Sequence, residues 1–137
     1  MGDAMSKTIL IVDDSASIRQ LVGYTLRDAG YQVIEATDGL EGLEKAQACR
    51  LGLVITDIDL PMLDGLELVR TLRVCADYAT IPILLLTTES TVEMKRRGKA
   101  LGATGWLVKP FDPKALVRVV QEVAGAADVA QVAGPRS

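Results

Sequence analysis

Acidic side chains follow two short runs of this chain, KTILIV near its start and LVIT near its middle. They are Asp13, Asp14, Asp57 and Asp59. The second run is apolar on both faces, which is typical of a strand buried within a sheet. Taken alone, either pair could be no more than turn-forming residues after a strand. Their chemistry therefore depends on whether the fold brings the two strand ends together.

Short runs rich in apolar and β-branched residues predict five strands. They span residues 7–12, 31–36, 51–56, 81–86 and 104–108. Helical spacing of apolar residues predicts a helix after each strand, and three of these helices open with a capping-box pattern. The helices begin near Ser15, Asp38, Asp64, Ser90 and Asp112, and the last extends to about Ala127.

This alternation predicts an α/β fold, a flavodoxin-like doubly wound parallel sheet of five strands with five helices. The natural strand order for such a sheet is 2-1-3-4-5. We expect one domain over residues 7–127, with a flexible N-terminus at 1–6 and a flexible tail at 128–137. Because strands one and three are neighbours in this order, their carboxyl ends meet and the acidic residues converge at one edge.

Three or four carboxylates at one spot repel one another unless a cation neutralises them. Oxygen ligands without nitrogen or sulfur donors favour Mg²⁺ over zinc or copper. Mg²⁺ usually keeps waters and open coordination positions, which suits it to binding a phosphoryl group. The sequence therefore predicts a magnesium site at this edge of the sheet.

Two further polar residues, Thr87 and Lys109, follow strands four and five. Parallel strands end at one edge, so both side chains should lie beside the acidic group. A hydroxyl, an ammonium and a cation are what a transferring phosphoryl group needs, and Asp57 would be the nucleophile that forms an acyl phosphate. Each residue alone has a bland explanation, but four strand ends with suitable groups are much less expected by chance.

Composition excludes several other classes of function. The chain has no histidine, which excludes a Ser-His or Cys-His nucleophile and a histidine phosphodonor. Its net charge of −3 gives no basic excess for nucleic acid, and 4% aromatic residues are too few for a base or flavin platform. We find no signal-peptide pattern and no apolar run of transmembrane length. We therefore expect a cytoplasmic protein that neither binds nucleic acid nor inserts into membranes.

Four motifs identify a family at this point. They are LIVDDS at 10–15, VITDIDLPMLDGLEL at 54–68, PILLLTTES at 82–90 and GATGWLVKPF at 102–111. The chain resembles the receiver domains of bacterial two-component response regulators over about residues 7–125. Among receivers it is most similar to the single-domain CheY-type chemotaxis regulators.

The resemblance implies that a chemotaxis-type histidine kinase phosphorylates Asp57. It implies that Thr87 and Lys109 contact the phosphoryl group, and that the Lys109–Pro110 bond is often cis. The implied Mg²⁺ ligands are Asp13, Asp14, Asp57 and the main-chain carbonyl of Asp59. Such a protein is not a classical enzyme, although it assists its own phosphorylation and dephosphorylation.

The resemblance also implies a switch, in which phosphorylation draws Thr87 toward the new group and Trp106 swings inward behind it. Tyr or Phe is more usual at that position, so a half-buried Trp106 that never moves is the alternative. The implied partner surface comprises Lys95, Arg96, Lys99 and Trp106. A solvated helix face explains the basic cluster of residues 95–99 equally well.

Position 59 departs from the family pattern, because Asn is common there in chemotaxis regulators and this chain has Asp. Glu89 adds another carboxylate two residues after Thr87. Both neighbour the water that would attack the acyl phosphate. We therefore hypothesise that Asp59 alters the lifetime of phosphorylated Asp57.

For a chemotaxis regulator, we expect a monomer whose output partner is a flagellar motor switch protein. A phosphate sink or phosphorelay intermediate is the alternative, and it would exchange phosphate with a kinase without binding the motor.

The motif Asp57-Ile58-Asp59 also resembles that of aspartate-based phosphohydrolases, where it normally follows the first strand. A flavodoxin would need a phosphate loop and flanking aromatics. Too few residues follow the last helix for a DNA-binding helix-turn-helix, so we do not expect direct transcriptional control.

Overall fold

A computed structural model describes residues 8–88 and 91–133 of the chain, with side chains as far as Ala124. Five parallel strands form one sheet in the order β2-β1-β3-β4-β5. The strands are β1 Thr8–Val12, β2 Gln32–Ala36, β3 Leu53–Asp57, β4 Ile83–Thr87 and β5 Gly105–Val108. The predicted doubly wound fold and its strand order are confirmed.

Five helices cover the two faces of this sheet. They are α1 Ala16–Asp28, α2 Gly39–Ala48, α3 Gly65–Arg73, α4 Val92–Leu101 and α5 Pro113–Ala133. Successive strand residues point to opposite faces, so the sheet carries two cores. Leu10 and Val54 belong to the core under α2 and α3, whereas Ile9 and Ile55 belong to the core under α1 and α5. All residues of β3 and β4 are buried, as expected for central parallel strands.

Local hydrogen bonds explain where the helices begin. The side chains of Asp38 and Asp64 accept from the backbone N–H groups of Glu41 and Glu67, at 2.8 Å and 2.9 Å. Each bond satisfies a donor that has no partner within the helix. Gly102 ends α4 with a left-handed backbone at φ 110°, a conformation in which glycine has no steric penalty.

Several boundaries differ from those predicted. Helix α4 is capped by Thr91, whose hydroxyl accepts from the N–H of Met94 at 3.1 Å, rather than by the predicted capping box that begins at Ser90. Strand β4 begins after Pro82, which has no N–H for the sheet ladder. A short 3₁₀ helix at Ala76–Tyr78, before β4, was not predicted.

Helix α5 continues past the predicted end at Ala127 to Ala133, because no proline or glycine stop follows Ala127 until residue 134. The predicted N-terminal segment 1–6, the residues Glu89 and Ser90, and the end of the predicted tail at 134–137 lie outside the described residues. None of the helices in the described ranges combines the length and hydrophobicity that crossing a bilayer requires.

Candidate metal and phosphoacceptor site

The acidic residues lie at the carboxyl ends of the adjacent strands β1 and β3, where Val12 pairs with Thr56. Carboxylate oxygens of Asp13, Asp14 and Asp57 all lie within 4.8 Å of one another. Asp13 is fully buried, Asp57 is 8% exposed, and Asp14 faces solvent. Asp59, the fourth carboxylate expected here, is exposed and lies outside this cluster, because β3 ends at Asp57 and the chain bends at Ile58 and Asp59.

Lys109 follows β5 and reaches across β4 to this cluster. Its Nζ donates to Oδ2 of Asp13 at 2.9 Å and to Oδ2 of Asp57 at 3.1 Å. Only 14% of the Lys109 side chain is exposed. Burial alone would lower the pKa of Lys109, but the hydrogen bonds to Asp13 and Asp57 and the charges of these two carboxylates together outweigh burial and raise it. Lys109 is therefore a fixed cation at the centre of the site.

The carboxyl group of Asp57 has its pKa raised above the ordinary value, first by burial and also by the charge of Asp13. The hydrogen bond and charge of Lys109 act in the opposite direction but do not cancel the rise. A single ammonium thus leaves this group of carboxylates with an excess of negative charge. An additional cation would relieve that repulsion.

The donor set fits a hard divalent cation. It consists of carboxylate oxygens, two of them on buried residues and one on an exposed residue that leaves an open side. Mg²⁺ prefers oxygen ligands and usually retains several waters, and this arrangement allows both. Within the described residues, no histidine or cysteine joins the cluster.

Thr87 is the last residue of β4 and is 2% exposed. It lies one position beyond the pair of Asp57 and Leu86 in the ladder, so it stands at the same edge. The backbone N–H of Lys109 donates to its carbonyl at 2.8 Å, and the Lys109–Pro110 bond is cis. The fold therefore places Thr87, at the end of β4, and Lys109, directly after the adjacent strand β5, beside Asp57.

Close approach between backbones holds the loop that follows Asp57. The N–H of Gly65 donates to the carbonyl of Ile58 at 2.8 Å. A Cβ atom at position 65 would lie 2.0 Å from the carbonyl oxygen of Asp57. In the same loop, exposed Met62 adopts φ 73°, an uncommon conformation for a residue with a side chain. Glycine at position 65 is thus required for α3 to begin against the end of β3.

Trp106 lies on β5 opposite Leu85 and is partly buried beneath α4. A Cβ atom at Gly98 of α4 would lie 2.8 Å from Cζ3 of the indole, so this glycine makes room for the ring. The indole Nε1 is buried without a hydrogen-bond partner among the described residues. The sequence did not predict this contact. The weak helix propensity of Gly98 and the presence of Trp106 are each visible in the sequence, but neither indicates that the two residues meet.

The basic cluster of α4 is exposed throughout. It consists of Lys95, Arg96, Arg97 and Lys99. Arg96 pairs with Glu93 one turn earlier, and Arg97 contacts the sulfur of Met94 at 3.7 Å. The cluster thus lies on the exposed side of α4, the helix that packs against Trp106.

Sequence reasoning missed Arg19, whose guanidinium donates to the main-chain carbonyl of Asp13 at 2.8 Å. No local pattern indicated it, because an arginine on an amphipathic helix normally extends into solvent. It also missed the N–H of Ser15, which donates to the carboxylate of Asp13 at 2.9 Å.

Comparison with known proteins gives similarities over most of the chain. The model of the family "Response regulator receiver domain" matches residues 9–121. The chemotaxis response regulator CheY4 of Vibrio cholerae is 51% identical, with a TM-score of 0.83 over 87% of this chain and 98% of that one. The receiver domain of the sensor histidine kinase PA1611 from Pseudomonas aeruginosa PAO1 is 28% identical, with a TM-score of 0.81 over 88% and 98% of the two chains. That structure holds a magnesium ion in its active-site cleft.

Among curated sequences, the alkaline phosphatase synthesis transcriptional regulatory protein PhoP of Bacillus subtilis (strain 168) is 39% identical over 126 residues. The alignment covers 92% of this chain and 52% of that protein. The chain spans about half the length of such relatives. A match of the family model to most of the chain, together with the same fold, shows that the chain belongs to the family of response regulator receiver domains.

Proposed function

We propose that Asp57 is a phosphoacceptor and that this chain is a phosphorylation-controlled signalling protein. The observation that carries the proposal is the contact of buried Asp57 with Lys109 at 3.1 Å, inside a cluster of carboxylates at the sheet edge. In the proposed reaction, a carboxylate oxygen of Asp57 forms a bond to phosphorus while the bond to the kinase histidine breaks. The chain therefore accepts a phosphoryl group rather than turning over a substrate.

Each residue at the edge has a role in this proposal. Asp13, Asp14, Asp57 and the main-chain carbonyl of Asp59 would hold Mg²⁺, which when bound neutralises charge on the phosphoryl oxygens. The ammonium of Lys109 is fixed by two carboxylates and can shift one hydrogen bond to a phosphoryl oxygen. The hydroxyl of Thr87 would donate to another such oxygen, and its movement would lead the response of Trp106.

For the output we propose a chemotaxis role, with a flagellar motor switch protein as the partner of the α4–β5 face. The likeness to CheY4 of Vibrio cholerae supports this role. The exposed cations Lys95, Arg96 and Lys99 beside Trp106 would favour an acidic partner. The relatives that regulate transcription favour a second candidate, in which the same receiver controls a DNA-binding output. The predicted cytoplasmic location, the monomeric state and the domain limits 7–127 stay predictions.

The phosphoacceptor is tested with acetyl phosphate and Mg²⁺, followed by intact mass measurement of the wild type and Asp57→Asn. We expect the mass of one phosphoryl group on the wild type and none on the variant. Asp59→Asn is the matched control, because it removes a nearby carboxylate that lies outside the cluster. Unchanged labelling of Asp57→Asn would contradict the assignment. The same samples give the rate of phosphate loss, and equal rates in wild type and Asp59→Asn would contradict a role of Asp59 in lifetime.

The output is tested by titrating purified flagellar motor switch protein with the chain, before and after phosphorylation. Chemotaxis output predicts tighter binding after phosphorylation and weaker binding when Lys95, Arg96 and Lys99 are replaced by Gln. Transfer of the phosphoryl group back to a kinase without motor binding would indicate a phosphate sink or relay. The transcriptional candidate is tested by fusing the chain to a DNA-binding domain. Pairing of two copies on operator DNA that depends on phosphorylation would favour this candidate.

A further inference from the structure

A second cation lies behind the acidic cluster, on the side of α1. The Nη1 atom of Arg19 donates to the main-chain carbonyl of Asp13 at 2.8 Å, and its Nε atom lies 3.4 Å from Oε1 of Glu35 on β2. Only 17% of the Arg19 side chain is exposed. The guanidinium thus bridges the end of β1 and the neighbouring strand β2.

The contact with the carbonyl of Asp13 acts on both residues of the acidic pair. This carbonyl and the N–H of Asp14 belong to one planar peptide unit. Holding the plane restricts the main-chain torsions on both sides of it, and these set the directions of both side chains. The N–H of Asp13 donates to Ala36 at 3.1 Å, and its carboxylate accepts from Ser15, so Arg19 completes the anchoring of this segment.

Arg19 achieves this without occupying a carboxylate oxygen of the cluster. Lys109, by contrast, donates directly to carboxylates of Asp13 and Asp57. The bond from Arg19 to a carbonyl leaves those oxygens available to a metal. Outer hydrogen bonds that orient metal ligands typically change metal affinity by about 10- to 100-fold when they are removed.

A neighbouring arginine provides an internal comparison. Arg27, two turns later on α1, also lies 3.3 Å from Glu35, and its Nη2 donates to the carbonyl of Val33 at 3.1 Å. Both arginines therefore pair with the same carboxylate, but of the two only Arg19 contacts Asp13. Effects of losing the Glu35 pair can thus be separated from effects of losing the Asp13 contact.

We propose that Arg19 is a positioning residue of the metal site, which fixes the peptide plane between Asp13 and Asp14 and thereby sets the affinity for Mg²⁺. This inference rests on the proposed function, because it assumes that the acidic cluster binds a divalent cation. It assigns no contact between Arg19 and the metal or the phosphoryl group.

The experiment is calorimetric titration of the metal-free chain with MgCl₂, for wild type, Arg19→Met, Arg19→Lys and Arg27→Met. We expect Arg19→Met to raise the dissociation constant for Mg²⁺ by about tenfold. Arg27→Met should leave it within about twofold of wild type. Arg19→Lys should give an intermediate loss, because an ammonium lacks the planar fork that holds the carbonyl and Glu35 together.

Equal affinities of wild type and Arg19→Met would overturn the role of Arg19, as would equal losses in Arg19→Met and Arg27→Met. Urea unfolding of each variant shows whether it is folded during the titration. If Arg19→Met does not fold, the affinity of Arg19→Lys for Mg²⁺ is the deciding measurement. Wild-type affinity in Arg19→Lys would show that the planar guanidinium of Arg19 does not set the affinity, and would overturn its proposed role. A wild type that binds no Mg²⁺ would instead overturn the proposed metal site itself, and with it this inference.

Discussion

The site edge and the face under α4 each depend on a glycine, but the two contacts differ in kind. A Cβ atom at Gly65 would lie 2.0 Å from the carbonyl oxygen of Asp57, which is backbone. A Cβ atom at Gly98 would lie 2.7 Å from Cδ1 of Leu85 and 2.8 Å from Cζ3 of Trp106, which are side chains. Side chains can rotate or shift, whereas backbone at the end of β3 can move only with the strand. The site edge is therefore far less adjustable than the face under α4.

Polar groups show the same contrast. At the site edge, the carboxylates of Asp13 and Asp57 accept from Lys109, and Asp13 also accepts from the backbone N–H of Ser15. Under α4, Nε1 of Trp106 is the one buried side-chain polar atom without a partner within residues 8–88 and 91–124. A buried donor without a partner costs about 1–3 kcal/mol. The carboxylates at the site edge are thus held in one arrangement by their hydrogen bonds. Under α4, a movement of Trp106 that gave its N–H a partner would be favourable.

The largest effect that we expect from this contrast is on the stability of Gly65→Ala. The new Cβ atom cannot be accommodated by a side-chain rotation, so the loop or β3 must move. We expect the free energy of unfolding to fall by about 3 kcal/mol or more, measured by urea denaturation with circular dichroism. A loss no larger than that of Gly98→Ala would show that the backbone contact is not the more rigid one.

A smaller effect is expected for Gly98→Ala. Alanine favours the helix by about 1 kcal/mol over glycine, but overpacking against Leu85 and Trp106 costs about 1–3 kcal/mol. The cost of overpacking is the larger of the two, so we expect the free energy of unfolding, measured by urea denaturation, to fall by about 1 kcal/mol. A stabilised variant would mean that the indole moves aside without cost, and the ring would then be mobile in the wild type too.

Trp106→Phe should change stability still less, within about 1 kcal/mol. The smaller ring loses apolar burial, but the buried N–H without a partner is also removed. In this background the cost of Gly98→Ala should fall, because the six-membered part of the indole no longer meets the new Cβ atom. A double-mutant cycle in urea measures the difference, and we expect a coupling of about 0.5 kcal/mol or more. Additive effects would rule out a direct contact.

The smallest expected change is a stabilisation, at the site edge, by Asp57→Asn in metal-free buffer. Burial and the charge of Asp13 raise the pKa of Asp57 above its ordinary value of 3.8. The resulting contribution to stability is fully present below pH 3.8 and is lost as pH rises through the folded-state pKa. Asparagine does not titrate, so its contribution does not change with pH. As pH rises through the folded-state pKa of Asp57, the free energy of unfolding of the variant should therefore increase relative to that of the wild type. Urea denaturation at several pH values measures the difference in free energy of unfolding between the variant and the wild type. A difference that does not change with pH would contradict the raised pKa.

Local signals were sufficient for most of the architecture. The apolar runs around β1 and β3 predicted buried strands because hydrophobic periodicity is a property of neighbouring residues. The capping patterns at Asp38 and Asp64 predicted helix starts for the same reason. The predicted start of α4 was wrong, because Ser90 and Thr91 are both residue types that cap helices and the local pattern does not choose between them, whereas the structure has Thr91 as the cap.

The sequence by itself determined which chemical groups stand at the strand ends, and the strand order that brings Asp13, Asp57, Thr87 and Lys109 to one edge. Only the tertiary structure decided that Asp59 lies outside the cluster, that Arg19 contacts the carbonyl of Asp13, and that Gly98 makes room for Trp106. Patterns that repeat every few residues predict the strands and helices, and the order 2-1-3-4-5 is the natural one for a sheet built from their alternation. Contacts between separate elements depend instead on side-chain direction and on how closely two backbones approach, and neither is encoded by a local pattern.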